Sequence, residues 1–154
     1  MGRFASDVQV LLRDRLASRA PDFDWTTEYR VGRTPVDVGG ESADHLVLVE
    51  LEWRRADPAD NTAKLFRHLS DGTLAVERVT VCQLFTEHYD LASGGVSSKR
   101  ENAEFVGRTA AETLDGFAFH ALTLPLDPPK RGGERPSDWR AIVELAGEEL
   151  VARL

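Results

Sequence analysis

Nine residues, His45 to Trp53 (HLVLVELEW), constrain this chain more than any other stretch. The run is apolar, of strand length and rich in branched side chains, which predicts a buried β-strand. Side chains alternate across a strand, so Glu50 and Glu52 point to one face while Val49, Leu51 and Trp53 point to the other. Two carboxylates a few ångströms apart at the end of such a strand repel one another and raise each other's pKa unless a cation or proton intervenes. Asp37 lies in the preceding strand segment. If VDV pairs antiparallel with VELEW around a turn at Gly39–Gly40, its carboxylate falls beside Glu50, and three oxygen donors on neighbouring strand ends suit Mg²⁺ or Mn²⁺. A Glu-x-Glu pair also arises on solvated sheet edges, where alternating acids discourage edge pairing; it is the addition of Asp37, Trp53 and the element order that favours the cation site.

The surrounding pattern predicts an α/β sandwich. Phe4, Val8, Leu11, Leu12 and Leu16 recur at helical spacing, with Ser6 and Gln9 as a capping box and an end near Pro21. Strand signals follow at Trp25 to Val31, at Thr34 to Gly39 after a Gly-Arg turn, and at His45 to Trp53. Asp57 as N-cap and Pro58 at the first helical position open a short helix carrying Leu65, Phe66 and Leu69, which stops at Gly72. A buried strand from Arg78 to Tyr89 leads through DLASGGVSS to a second capping box, Ser98 with Glu101, and a helix ending at Asp115-Gly116. Phe117 to Leu126 reads as a strand. Beyond DPPKRGGERPSD, Trp139, Ile142, Val143, Ala146 and Leu150 share one face of a terminal helix. The order α-β-β-β-α-β-α-β-α predicts a mixed sheet of about five strands flanked by helices, in one domain spanning residues 1–154.

Composition narrows the function classes. Of 154 residues 42% are apolar and 29% charged, which suits one globular domain rather than a disordered or fibrous chain. No apolar run is long enough to span a bilayer, and charges interrupt the N-terminal stretch, so the expected location is cytoplasmic, with no membrane partner. The single cysteine, Cys82, excludes an internal disulfide and a multi-cysteine zinc site and reads as a buried thiol. A net charge of −7 does not attract nucleic acid indiscriminately, so any DNA binding needs a local basic patch.

TPVDV, a short gap and VELEWRR together resemble the PD-(D/E)xK nuclease superfamily, with the restriction-endonuclease-like fold. Pro35 stands one residue earlier than in the bare motif, Asp37 is the first acid, and Glu50-Leu51-Glu52 matches the second half with Glu52 where most members carry lysine. That departure is similar to the E-x-E variants among BamHI- and BglII-type restriction endonucleases, and the likeness extends to Trp53, Asp57 and the helix with Phe66, Arg67 and Leu69. The resemblance covers residues 33 to 70. It implies Mg²⁺- or Mn²⁺-dependent hydrolysis of phosphodiester bonds in DNA, with Asp37, Glu50 and the Leu51 carbonyl as metal ligands. A cation there polarises the phosphoryl oxygen, lowers the pKa of the attacking water and neutralises charge on the leaving oxygen. The role of the usual lysine stays open: Glu52 acts as ligand or general base, or Lys64, on the following helix, projects its ammonium back into the site. Arg33 and His68 are further candidates, and Lys64 also reads as an i,i+4 partner of Asp60 on a solvated face.

Two segments combine positive charge with backbone freedom: Ser93 to Arg100, with Lys99 and Arg100 at a helix N-terminus that itself attracts phosphate, and Pro128 to Arg140, with Lys130 and Arg131. Each is a candidate DNA contact. His45, His68, His88 and His120 show no ligand spacing, Ser97 and Ser98 read as caps, and no phosphate loop or serine-hydrolase motif occurs. A chain of this size barely exceeds a catalytic core, so specificity is expected from a homodimer, a partner protein or the shape of the target. The competing expectation is a catalytically degenerate nuclease fold serving as a nucleic-acid-binding or assembly subunit. A carboxylate-pair glycosidase is disfavoured because so short a chain leaves little room for a subsite cleft.

Overall fold

Val8, Leu12 and Leu16 are all fully buried and form the inner stripe of helix α1 (Arg3–Arg19) in the computed structural model, which describes residues 2–72 and 74–154. An antiparallel meander follows, built of β1 (Asp24–Val31), β2 (Thr34–Glu41) and β3 (His45–Glu52). Helix α2 (Pro58–Leu69) then crosses to β4 (Arg78–Thr86), which ends in a single 3₁₀ turn, Glu87–Tyr89. Helix α3 (Ser98–Thr113) crosses to β5 (Phe117–Leu124), and α4 (Trp139–Val151) closes the chain. The five strands form one mixed sheet in the order β1-β2-β3-β4-β5, with β3, β4 and β5 parallel. The α/β class and the element order are those the sequence predicts.

The strands β3, β4 and β5 advance in one direction across the sheet. Two crossovers of the same hand then put α2 and α3 on one face, where they pack on each other, and leave the other face to α1 and α4. Every residue of β3 is buried, because this strand has a helical layer on both sides. Its Val47, Val49 and Leu51 enter the core under α1 and α4 with Leu12, Leu16, Leu124, Val143 and Leu150. Its Leu46 and Leu48 enter the core under α2 and α3 with Val36, Leu65, Phe66 and Val81. Cys82 is buried without a disulfide, and burial pushes its thiol up to about 12.

Several local expectations give way to tertiary packing. Gly39 and Gly40 are not a turn. They lie inside β2, paired with Thr26 and Trp25, and the connection to β3 falls at Ser42–Asp44. Glycine is needed there because a Cβ at Gly39 would strike the Tyr29 ring and one at Gly40 the Trp25 ring. Neither capping box forms. Helix α1 begins after Gly2, three residues before Ser6, and α3 is preceded by Ser97 with no side-chain cap. Asp57, by contrast, caps α2 as expected, its Oδ1 accepting the Asp60 N–H at 3.0 Å, with Pro58 in the first turn. The strand expected to reach Tyr89 ends at Thr86, and the one expected to reach Leu126 ends at Leu124.

Candidate functional site

The site begins where the sheet divides. Pairing between β2 and β3 runs from Glu41↔Leu46 to Val38↔Val49 and stops, while β1–β2 pairing continues to Val31↔Thr34 and β3–β4 pairing to Glu52↔Phe85. Residues 34–36 of β2 therefore stay with β1, residues 50–52 of β3 stay with β4, and a cleft opens between them. The Asp37 carboxylate bridges its root: Oδ2 accepts the Leu51 N–H at 2.7 Å, replacing the main-chain partner that β2 no longer offers. Pro35, without an N–H, sits in β2 opposite Arg30 and lines the cleft.

A backbone irregularity steers β1 and β2 into this arrangement. Glu28 has φ +52°, the one left-handed non-glycine conformation among the described residues, and both it and Asp37 fall in the gap between the pairs Thr27↔Val38 and Tyr29↔Val36. Across that gap the ribbon turns over. Trp25 and Val38 belong to the core under α1 and α4, whereas Val31 and Val36 belong to the other core. A left-handed carboxylate residue costs about 1 kcal/mol, and Gln9 of α1 offsets it: its amide donates to Glu28 Oε1 at 2.9 Å and also to the Asp37 carbonyl. Gln9, which the sequence pattern assigns to a helix cap, is instead the tie between α1 and the cleft.

The cleft has a volume of about 490 Å³ and is lined by Gly2, Glu28, Pro35, Asp37, Glu50, Leu51, Trp53, Arg54 and Arg55. Asp37 and Glu50 meet in it at 7% and 2% exposure. Burial raises the Asp37 carboxyl, against the opposing pull of the Leu51 N–H. Burial and then the Asp37 charge raise Glu50 well above the usual carboxylate range. Glu50 Oε1 is buried with no hydrogen-bond partner among the described residues. The Leu51 carbonyl accepts the Trp53 N–H at 2.9 Å, leaving one lone pair.

Glu52 takes a different position. Though it shares a strand face with Glu50, it is absent from the cleft lining and wholly buried, with Oε1 accepting from Gln83 at 2.9 Å and Asn61 at 3.4 Å. Arg55 Nε stands 3.3 Å from the other oxygen. Burial raises Glu52 to about 7, with Arg55 opposing. Three acids therefore do not share one cleft as the alternation predicts: among the described residues no three His, Cys, Asp or Glu side chains converge at metal-ligand spacing. What does fit is an ion that takes one or two carboxylates and completes its shell with water and substrate oxygens, the habit of Mg²⁺, because Asp37 and Glu50 form a desolvated pair with an oxygen still unpartnered.

Lys64 is exposed on α2 and does not line the cleft. Its proposed ion pair with Asp60 does not form among the described residues, and Arg33 is an exposed turn residue. His68 bonds Thr34 through Nδ1. Of the candidate phosphate contacts, Lys130 and Arg131 line a second groove of about 250 Å³ with Arg3, Phe4 and Arg135, and this groove shares Gly2 and Trp53 with the cleft. Lys99 is exposed at the start of α3, where it and Arg54 both hold the His88 ring below its usual pKa after burial, the larger cause. Arg100 does not face solvent. It pairs with Glu104 at 2.7 Å, donates to Thr123 at 3.0 Å and lies over the Phe85 ring at 4.9 Å. Sequence reasoning missed Gln9, Glu28, Arg55 and Gln83, of which only Arg55 carried a signal, through its place in the WRR that follows the strand.

No family model matches the chain, and no curated protein matches it. No helix among the described residues is long and apolar enough to cross a membrane.

Proposed function

We propose that the protein is a divalent-metal-dependent nuclease that hydrolyses phosphodiester bonds in DNA, in the manner of the PD-(D/E)xK superfamily that its sequence resembles. One observation carries this reading: Asp37 and Glu50, on different strands, are buried together at the carboxyl end of β3, in a cleft where Arg54 and Arg55 stand beside Glu28, Asp37 and Glu50. Asp37 and Glu50 are the residues that would hold Mg²⁺ or Mn²⁺, with the free lone pair of the Leu51 carbonyl beside them. When bound, such an ion supplies electrophilic stabilisation of the phosphoryl group and a more acidic water. Arg54 and Arg55 draw a phosphate to the mouth, Arg3, Lys130 and Arg131 extend the positive rim beside Arg135, which pairs with Asp7 at 2.8 Å, and Trp53 lines both hollows. The rim is the local basic patch that a chain of net charge −7 needs in order to bind DNA.

The test is incubation of supercoiled, linear and single-stranded DNA, and of RNA, with and without Mg²⁺ or Mn²⁺. DNA should be cut only with the ion, and Glu50→Ala should lower cleavage by orders of magnitude while DNA binding holds or tightens. A second reading, a nuclease fold retained for binding or assembly, is favoured by the withdrawal of Glu52 from the cleft. It requires that Mn²⁺ not bind and that no nucleic acid be cut under any condition.

A further inference from the structure

We propose that Arg55 is the group that grips the substrate phosphate in the cleft, and that Glu52, buried beneath it, serves to hold the Arg55 guanidinium in place; this rests on the phosphodiester reading above. The turn that carries Arg55 is fixed from below. Thr86 Oγ1 donates to the Trp53 carbonyl at 2.6 Å, and the Tyr89 hydroxyl donates to the Arg55 carbonyl at 3.0 Å. Both donors are buried, Tyr89 at 1% exposure, so the backbone on either side of Arg54 is anchored to β4 and its 3₁₀ turn.

The side chain is aimed as well. A carboxylate as deeply buried as Glu52 is costly to keep charged without a cation, and Arg55 is the cation that reaches it. Gln83 sits where it can orient Glu52, because its amide bridges Glu52 Oε1 and Thr62 Oγ1, at 2.9 and 2.8 Å. Arg55 Nε lies 3.3 Å from the second Glu52 oxygen, an ion pair without hydrogen-bond geometry, and the same side chain, 46% exposed, lines the cleft. Among the described residues no other carboxylate lies within ion-pair distance of Arg55. A guanidinium anchored by a carboxylate on one side still has donors in a planar fork that can meet two phosphate oxygens at once. The carboxylate in the position usually held by lysine thus supplies its cation at one remove, three residues along the chain.

The experiment combines single-turnover DNA cleavage in Mn²⁺ with the salt dependence of binding to a fluorescein-labelled duplex in Ca²⁺. The proteins are wild type, Arg55→Gln, Arg55→Lys, Glu52→Gln, the double variant Glu52→Gln/Arg55→Gln, and Arg78→Gln as a charge-matched comparison at the far end of β4. Arg55→Gln should lower the single-turnover rate at saturating Mn²⁺ by about 10²-fold and reduce the salt slope by about 1. Arg55→Lys should recover part of the rate, and Arg78→Gln should leave it alone. Glu52→Gln should slow the wild-type background but add nothing to Arg55→Gln, since it acts through that residue. Each variant is checked by circular dichroism and urea midpoint, and the double variant removes the buried carboxylate charge that Arg55→Gln alone leaves unpaired. Wild-type rate and salt slope in Arg55→Gln, or an equal cost of Glu52→Gln in both backgrounds, overturns the inference and leaves the nuclease reading standing. A wild-type protein that cuts no nucleic acid and binds no duplex overturns that reading and the inference with it.

Discussion

Glu50 and Glu52 differ by two positions on one strand and by the whole character of their surroundings. Glu50 opens onto the cleft beside a second carboxylate, and Glu52 is enclosed by two amides and a guanidinium. Both carboxyls are raised, so the folded state binds protons that the unfolded chain has released. Stability from this source is fully present below the ordinary carboxyl value of 4.5 and is lost as pH rises toward about 7, the folded value of Glu52. For Glu52 the loss amounts to about 3 kcal/mol. Urea midpoints of metal-free protein should therefore fall between pH 5 and pH 8, and a rise over that interval would contradict the assignment of buried, raised carboxyls. Glu50→Gln replaces a buried carboxyl whose Oε1 has no hydrogen-bond partner among the described residues and which lies against the Asp37 charge, so at pH 8 it should stabilise the metal-free protein by about 1–3 kcal/mol, read from the same midpoints, while it abolishes cleavage. Stability gained with activity lost is the signature of a side chain kept for function.

At the scale of elements, the helix–strand interface around β1 and β2 sets the site. Gln9→Ala leaves Glu28 and the Asp37 carbonyl without their shared donor and should lower stability by about 1–3 kcal/mol, visible as a reduced urea midpoint with α1 still helical by circular dichroism. Gly39→Ala drives a methyl group into the Tyr29 ring and should destabilise by a similar 1–3 kcal/mol; unchanged stability would mean that the ring moves aside at no cost. These two residues also mark the limit of what the sequence shows. Alternation and apolar runs located β3 as a buried strand, every residue of which is buried, because a central strand's burial follows from its own composition. Gly39-Gly40 reads as a turn by local chemistry, and only the aromatic rings of a neighbouring strand explain it as extended chain. Gln9 reads as a cap for the same reason: its partners, Glu28 and Asp37, lie 19 and 28 residues away. The meeting of Asp37 with Glu50 was legible from the strand pattern, whereas the placement of Arg55 in the cleft and the role of Glu28 were not, since one depends on a turn pinned by Thr86 and Tyr89 and the other on a left-handed residue inside a strand.

For the whole molecule, charge is distributed against its net sign. The chain carries −7 overall, yet Arg3, Arg54, Arg55, Lys130, Arg131 and Arg135 gather around two adjoining hollows. Each cation that contacts phosphate adds about one unit to the slope of log affinity against log salt. Replacing Lys130 and Arg131 with glutamine should reduce that slope by about 2 and weaken binding uniformly across duplex sequences, as measured by fluorescence anisotropy over a salt series. A slope equal to that of the wild type would place the DNA elsewhere.

The claim that Asp37 and Glu50 form a cation site is tested most directly by calorimetric titration of Mn²⁺ into wild type and Glu50→Gln at pH 6.5, in two buffers of different ionisation enthalpy. Burial and the Asp37 charge push Glu50 toward its protonated form while a bound cation favours the carboxylate, so ion binding and proton release are linked. The expected result is one Mn²⁺ per chain with measurable proton release, and loss of both in Glu50→Gln. No binding by the wild-type protein, or identical binding and proton release in the variant, would contradict it.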